Sequence, residues 1–176
     1  MMIKQFFLYR LKNQHIILLA VLSLLMLGVM DIYSLPAIAK AAGGIPAFDL
    51  QTFGYSHQTA QAFLNNLSES GRKLFLYFQL PLDFAFAFVY TFLFLALIIR
   101  LNKIGYRLCF LPLILFLLDI TENTVSVIML TAPKLPPALS IFGSVITVSK
   151  NLFTLLCALV IIVFLILKLK NRRKKK

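Results

Sequence analysis

The sequence predicts an all-α fold, an antiparallel four-helix transmembrane bundle with a short amphipathic helix in its outer loop, and three observations lead to it. Hydrophobic residues make up 60% of the 176 residues and charged residues only 14%, whereas a soluble domain needs more charge to face water. Four apolar stretches are each long enough to cross the hydrocarbon core of a bilayer, which takes about 20 helical residues. The net charge of +12 collects at the ends of these stretches and not on a folded face, which argues against a nucleic-acid partner.

The four spans are expected within a single integral membrane domain over residues 1–176. Their approximate ranges are 15–35, 74–99, 108–130 and 138–167. Thirteen of the 18 Lys and Arg residues flank one side of the membrane: before the first span, between the second and third spans, and in the tail 168–176. Because cytoplasmic flanks carry the excess of basic residues, we expect a multi-pass protein of the inner (plasma) membrane with both termini in the cytoplasm. The expected partners are the bilayer and, at the basic tail, anionic lipid.

The long connection between the first and second spans, residues 36–73, is expected on the outer side. Ser56 is a candidate N-cap and Gly71 a candidate helix stop. Between them apolar residues recur at helical spacing, at Ala60, Phe63, Leu64 and Leu67. The pattern indicates a short amphipathic helix that lies either on the outer membrane surface or against the end of the bundle.

Four of the six acids lie inside the apolar spans, namely Asp31, Asp83, Asp119 and Glu122. A charged acid near the bilayer centre costs on the order of 3 kcal/mol, so these acids need compensation. Lys150 of the fourth span is the basic residue that can supply it. We expect Lys150 to pair directly with an acid of the third span. At least one other acid is expected to stay protonated, because burial and like charges both oppose ionisation.

Each span also carries a polar face, and in a four-helix bundle these faces can converge. The fourth span has Ser140, Ser144, Thr147, Asn151 and Thr154 on one stripe, whose Ser and Thr residues are expected only to hold helices together. The convergence predicts an outward-facing acidic cavity that binds or transports a small polar or cationic molecule or a lipid. The candidate ligand-binding residues are Asp31, Gln79, Asp83, Asp119, Glu122, Asn123, Lys150 and Asn151.

Two other functions stay open at this point. Asp119 and Glu122 are three residues apart and share a helical face, so the protein could be a membrane enzyme that uses paired acids for acid–base chemistry on a lipid. The acids could instead pair with another protein, which would make the chain a structural subunit of a membrane complex. The sequence contains no metal-ligand motif, phosphate-binding loop or nucleophile motif, so no cofactor and no metal are expected.

Short motifs resemble two known groups of proteins. The runs Phe53-Gly54-Tyr55-Ser56, Asp119-x-x-Glu122-Asn123 and Asn151-Leu152-Phe153-Thr154 are similar to segments of small bacterial four-span integral membrane proteins. That resemblance covers most of the chain and implies the fold but no activity. Three segments resemble the EXPERA-type sterol-binding and sterol-isomerase family, which would imply a sterol site. They are Met30-Asp31 at the end of the first span, Phe78-Gln79-Leu80-Pro81 in the second span, and the lysine-rich tail. That family has an acid one turn before the Gln, where this chain has Phe75.

Overall fold

The structure, a computed structural model, describes residues 12–101 and 105–173, apart from the side chains at 105, 106 and 172. The expected basic flanking residues at 4, 10, 103 and 174–176 lie outside the described residues. In chain order the elements are α1 (Asn13–Ala41), a 3₁₀ turn (Phe48–Leu50), α2 (His57–Asn66), α3 (Glu69–Leu101), a second 3₁₀ turn (Gly105–Leu108), α4 (Phe110–Thr131) and α5 (Pro137–Arg173). These ranges contain no strand, which confirms the all-α fold.

Helices α1, α3, α4 and α5 are each long and apolar enough to cross a membrane, so the chain is a multi-pass membrane protein. We call the end with the connections 42–68 and 132–136 the loop end, and the opposite end the basic end. Helix α4 packs against both α3 and α5, and α3 also contacts α5. Helix α1 packs along α3 and makes few contacts with α5, so one side of the bundle is less tightly closed than the others.

The hydrophobic core is most extensive at the loop end, where α2 closes the bundle. Ser56 caps α2, as expected, and its Oγ accepts a hydrogen bond from the Thr59 N–H at 3.0 Å. Phe63 of α2 is fully buried and packs on Phe48 and Phe75, with ring centroids 4.8 Å and 6.1 Å away. Of the two positions expected for this helix, the structure supports the one against the end of the bundle.

The helix boundaries near the loop end differ from the expected ones. Gly71 is not a helix stop: it lies inside α3, which begins after a new N-cap at Ser68. A Cβ at Gly71 would lie 2.5 Å from the Cβ of Ala41, so the glycine allows α1 and α3 to approach closely. Since α1 continues to Ala41 and α3 already begins at Glu69, the connection is shorter than residues 36–73.

Both α1 and α3 contain a π-helical turn shortly before a proline. These turns are Met30–Ser34, ahead of Pro36, and Phe75–Gln79, ahead of Pro81. Because proline has no N–H, it cannot complete the regular α-helical hydrogen-bond pattern. The wider π turns accommodate this locally, as such turns often do near functional sites.

The connection between α1 and α2 turns back into the bundle, and we call residues 47–55 the re-entrant segment. The Tyr55 N–H donates to Ser144 Oγ at 2.8 Å, and the Thr52 carbonyl accepts a hydrogen bond from Asn151 Nδ2 at 3.2 Å. Asn151 lies four turns into α5, roughly 21 Å from the start of that helix at 1.5 Å per residue. Non-helical backbone is tolerated at such depth only where its polar groups find partners, and the polar side chains of α5 supply them.

Glycine is required where the re-entrant segment touches α5. Gly54 has a φ of +86°, in the left-handed region that favours glycine. A Cβ there would lie 2.5 Å from Ser144 Oγ and 3.1 Å from Val148 Cγ2. The segment therefore reaches this depth because residue 54 has no side chain.

Candidate functional site

Lys150 of α5 forms two ion pairs with acids of α4. Its Nζ contacts Glu122 Oε2 and lies 3.7 Å from Asp119 Oδ1. The side chains of Lys150, Asp119 and Glu122 are 14%, 4% and 2% exposed, so the group is shielded from solvent. The pairing of Lys150 with an acid of the third span, expected from the sequence, is confirmed.

Two hydroxyl groups complete the surroundings of these acids. The Tyr90 hydroxyl donates to Asp119 Oδ2 at 2.6 Å, and Thr147 Oγ1 donates to Glu122 Oε1. Each carboxylate thus has one oxygen towards Lys150 and the other towards a hydroxyl, which is what a buried ion pair needs to offset its desolvation. Thr147 therefore does more than hold helices together.

Two further acids face Lys150, and we call Asp49, Asp83, Asp119, Glu122 and Lys150 the charged layer. Asp83 is 8% exposed on α3, and Asp49 arrives on the re-entrant segment. Asp49 Oδ1 is buried and has no hydrogen-bond partner among the described residues. Burial raises the pKa of Asp49 from 3.8 to about 6, although Lys150 opposes the rise. Across residues 12–101 and 105–173, Lys150 is the one cation that faces all four acids.

A cavity of about 510 Å³ adjoins the charged layer, between α1, α3, α4 and α5. Asp83, Asp119 and Lys150 form the charged part of its wall. Most of the remaining lining is apolar and includes Leu24, Leu27, Phe86, Leu93, Phe94 and Leu115. A mostly apolar cavity with a few polar groups on one side is typical of a small-molecule site.

The cavity lies at the less tightly closed side of the bundle. Its lining includes Leu24 of α1, which is 68% exposed, and Thr154 of α5, which is also exposed. Because α1 and α5 make few contacts with each other, the cavity reaches the apolar outer surface between them. The core around Phe48 and Phe63 fills the loop end. An opening of the cavity towards the outer side of the membrane stays a prediction.

Of the eight candidate binding residues, four line the cavity. These are Asp83, Asp119, Lys150 and Asn151. Glu122 is a partner of Lys150 in the charged layer and is not part of the cavity wall. That these residues bind a ligand stays a prediction.

The other three candidates lie apart from the cavity wall. Asp31 is exposed, because the buried stripe of α1 includes Met30 and Ser34 and Asp31 lies beside this stripe on the helix surface. Gln79 is buried between α3 and α1, where its Oε1 accepts a hydrogen bond from Ser34 Oγ. Asn123 is buried in α4, and its Nδ2 has no partner among the described residues.

Asp49 and Tyr55 are not among the eight candidate residues that the sequence predicted. Both lie on the re-entrant segment, whose irregular backbone has no periodicity to reveal its depth. The sequence contains one signal of the re-entrant segment. The polar stripe of the fourth span has more residues than are needed to contact the acids of the other spans. Ser144 and Asn151 of that stripe bind the backbone of the re-entrant segment.

Comparisons of the chain with protein-family models, with curated proteins and with solved structures found no match. The charged layer and the cavity are therefore the features of this chain that point to a function.

Proposed function

We propose that this protein is an integral membrane protein whose intramembrane acidic cavity binds or transports a small polar or cationic molecule, or a lipid with such a head. The supporting observation is the cavity of about 510 Å³, in which the carboxyls of Asp83 and Asp119 face an otherwise mostly apolar wall. An amphiphile suits this arrangement, since its head can lie at the carboxyls while its tail contacts Leu24, Leu27 and Phe94.

The charge balance favours a cationic head. The charged layer holds four acids and one lysine, and Lys150 is already paired with Asp119 and Glu122. Neither ion pair includes Asp83, which lines the cavity. A cation within about 4 Å of a carboxylate gains about 4 kcal/mol at an effective dielectric constant of 20, so a bound cation would compensate a charge that the layer leaves unpaired.

The position of the cavity favours entry from the lipid phase. Its apolar lining reaches the outer surface of the bundle between α1 and α5. In a bilayer the hydrocarbon chains of the lipids contact this surface. A ligand with an apolar tail could therefore enter sideways without crossing the core at the loop end.

The geometry supports binding better than catalysis. Paired acids that act on a substrate should both face it, yet Asp119 lines the cavity while Glu122 points to Lys150 and Thr147. The resemblance to small four-span proteins stays a prediction. So do the placement in the inner (plasma) membrane with cytoplasmic termini, and the contact of the basic tail with anionic lipid.

Binding can be measured with dodecyltrimethylammonium, a single-chain cation, added to the protein in an uncharged detergent. A ligand that binds only the folded protein stabilises it by an amount set by the ligand concentration relative to the dissociation constant, about 2.7 kcal/mol at a 100-fold excess over that constant. The dissociation constant is therefore obtained from the rise in melting temperature. We expect Asp83→Asn to weaken binding by about tenfold or more, since it removes a carboxylate from the cavity wall.

Two controls make this result specific. Glu69→Gln removes an exposed acid at the loop end, outside the cavity, and should leave binding unchanged. Dodecanol, which has the same chain without a charge, should bind more weakly than the cation and should not distinguish Asp83→Asn from the wild type. Equal binding of the cation to the wild type and Asp83→Asn would refute the proposed function.

A further inference from the structure

Ser23 of α1 has a buried hydroxyl in the wall of the cavity. The residue is 6% exposed, and its Oγ has no hydrogen-bond partner among the described residues. Hydroxyls within helices often donate to the carbonyl four residues earlier, as those of Thr124, Ser149 and Thr154 do. Because an unpaired buried hydroxyl is costly, the hydroxyl of Ser23 is available to a ligand in the cavity.

Asp119 has a second atom of this kind in the cavity wall. Its Oδ2 accepts a hydrogen bond from the Tyr90 hydroxyl, whereas its Oδ1 is buried with no hydrogen-bond partner in the described part of the chain. The Nζ of Lys150 lies 3.7 Å from Oδ1, which is an ion-pair distance but too long for a hydrogen bond. Asp119 Oδ1 can therefore still accept a hydrogen bond from a ligand.

Ser23 and Asp119 lie at a similar depth in the bundle. Helices α1 and α3 are antiparallel neighbours, and Ser34 of α1 donates to Gln79 of α3. Ser23 comes eleven residues before Ser34 in the chain. Tyr90 comes eleven residues after Gln79. Both therefore lie about 16 Å from this contact, towards the basic end. Ser23 is thus level with Tyr90, whose hydroxyl reaches Asp119.

Three helices contribute hydrogen-bond acceptors to the cavity wall. Helix α1 supplies Ser23 Oγ, α3 supplies the carboxyl of Asp83, and α4 supplies Asp119 Oδ1. Asp83 belongs to neither ion pair of Lys150. The other polar residues of the wall already have partners within the protein, namely Tyr90, Lys150, Asn151 and Thr154.

We propose that the cavity is specific for a primary ammonium head, and that Ser23 is a specificity-determining residue that accepts one of its hydrogen bonds. The inference rests on the proposed function, because it names the class of cation that the cavity binds. A primary ammonium has three N–H donors, which match the acceptors of Ser23, Asp83 and Asp119. A quaternary ammonium has the same charge but no N–H, so it leaves Ser23 Oγ and Asp119 Oδ1 unpaired.

The hydration of the two heads gives this preference a definite sign. A primary ammonium is compact and strongly hydrated, so it loses more than a trimethylammonium head when it leaves water for an apolar cavity. A cavity without suitable acceptors therefore binds the trimethylammonium head more tightly. A cavity whose acceptors replace the lost hydration binds the primary ammonium more tightly.

The test compares dodecylammonium with dodecyltrimethylammonium, added to the full chain in an uncharged detergent. At pH 7 both cations are charged, since an alkylamine has a pKa of about 10.4, as in Lys. The dissociation constants follow from the rise in melting temperature. The wild type should bind dodecylammonium about tenfold or more tightly than dodecyltrimethylammonium. Ser23→Ala should weaken the binding of dodecylammonium by about tenfold, the effect of a lost hydrogen bond to a charged group, and should leave dodecyltrimethylammonium unaffected.

Ser149→Ala is the matched control. Ser149 of α5 donates to the Val145 carbonyl at 2.7 Å and is not part of the cavity wall, so its substitution should change the binding of neither cation. Without ligand, Ser23→Ala should melt at or above the temperature of the wild type, because it removes a hydroxyl that has no partner among the described residues. A purely structural role of Ser23 would lower that temperature instead.

Two outcomes would overturn the inference. If the wild type binds dodecyltrimethylammonium as tightly as dodecylammonium, or more tightly, the cavity does not select a primary ammonium. If Ser23→Ala leaves the binding of dodecylammonium unchanged, or weakens both cations equally, Ser23 does not accept a hydrogen bond from the head. Both outcomes can occur while Asp83→Asn still weakens the binding of dodecyltrimethylammonium, so they are distinct from a failure of the proposed function.

Discussion

Replacement of Lys150 by Met tests the charged layer directly. Methionine keeps the length and the apolar part of the side chain but removes the ammonium group that contacts Glu122 and lies 3.7 Å from Asp119. Both acids then remain buried, with Thr147 and Tyr90 as their hydrogen-bond partners. The variant is therefore expected to be less stable than the wild type.

The size of the effect follows from the burial of the pair. Loss of one partner of a buried ion pair typically costs about 3–5 kcal/mol, because the other charge is left uncompensated. The side chain of Lys150 is 14% exposed, so we expect the lower part of this range, about 3 kcal/mol. Glu122→Gln in the same chain removes the unpaired charge and should recover part of the loss. The interaction energy between the two positions should be about 1–3 kcal/mol.

The assay is a double-mutant cycle of unfolding free energies in mixed detergent micelles. The measured coupling should exceed about 0.6 kcal/mol, the average for a polar contact between membrane helices. Glu69→Gln provides the control, because Glu69 is 81% exposed and pairs with Lys73 at the loop end. Its effect should add to that of Lys150→Met. If the effects of Lys150→Met and Glu122→Gln add within about 0.5 kcal/mol, the ion pair does not stabilise the bundle as described.

Three further predictions concern the connection and the topology. Gly54→Ala should destabilise the protein about twice as much as Gly44→Ala, which should cost roughly 1 kcal/mol in thermal unfolding. Both glycines have positive φ, but only at Gly54 would an added Cβ approach another atom closely, the hydroxyl of Ser144 at 2.5 Å, whereas at Gly44 it would have no neighbour within 4 Å. Equal losses of stability in the two variants would contradict this close contact. The pKa of Asp49, about 6 against 3.8, means that the folded state binds the proton more tightly. The stability that Asp49 contributes should therefore fall as pH rises from about 4 to 6, and Asp49→Asn should remove this part of the pH dependence. Asn66→Cys should react with an impermeant thiol reagent from outside intact cells and Asn171→Cys only after lysis, whereas the reverse pattern would overturn the expected orientation.

Periodicity predicted the parts of the site that lie on regular helices. The spacing of Asp119 and Glu122 on one face of the third span was enough to predict that Lys150 pairs with an acid of that span. The structure shows ion pairs of Lys150 with both acids. Span length and the run of apolar residues predicted the four long helices for the same reason, since both depend only on local repeats.

The remaining features depend on tertiary contacts that no local repeat encodes. The re-entrant segment is stabilised by Ser144 and Asn151, which are distant in sequence, and by the space above Gly54. Asp31 shows how one residue of offset matters: it follows the buried Met30 directly and is thereby exposed. Gly71 predicted a helix end, but its lack of a side chain allows contact with Ala41 instead.

The most direct test of the cavity as a binding site is photolabelling with a dodecylammonium probe that carries a diazirine at the end of its chain. After irradiation of the protein in uncharged detergent, mass spectrometry identifies the labelled peptides. We predict labels on the cavity-lining parts of α1 and α5, near Leu24 and Thr154. Excess dodecyltrimethylammonium and Asp83→Asn should both suppress them. Labels spread evenly over the apolar surfaces of the four long helices, unaffected by competitor or variant, would contradict the account.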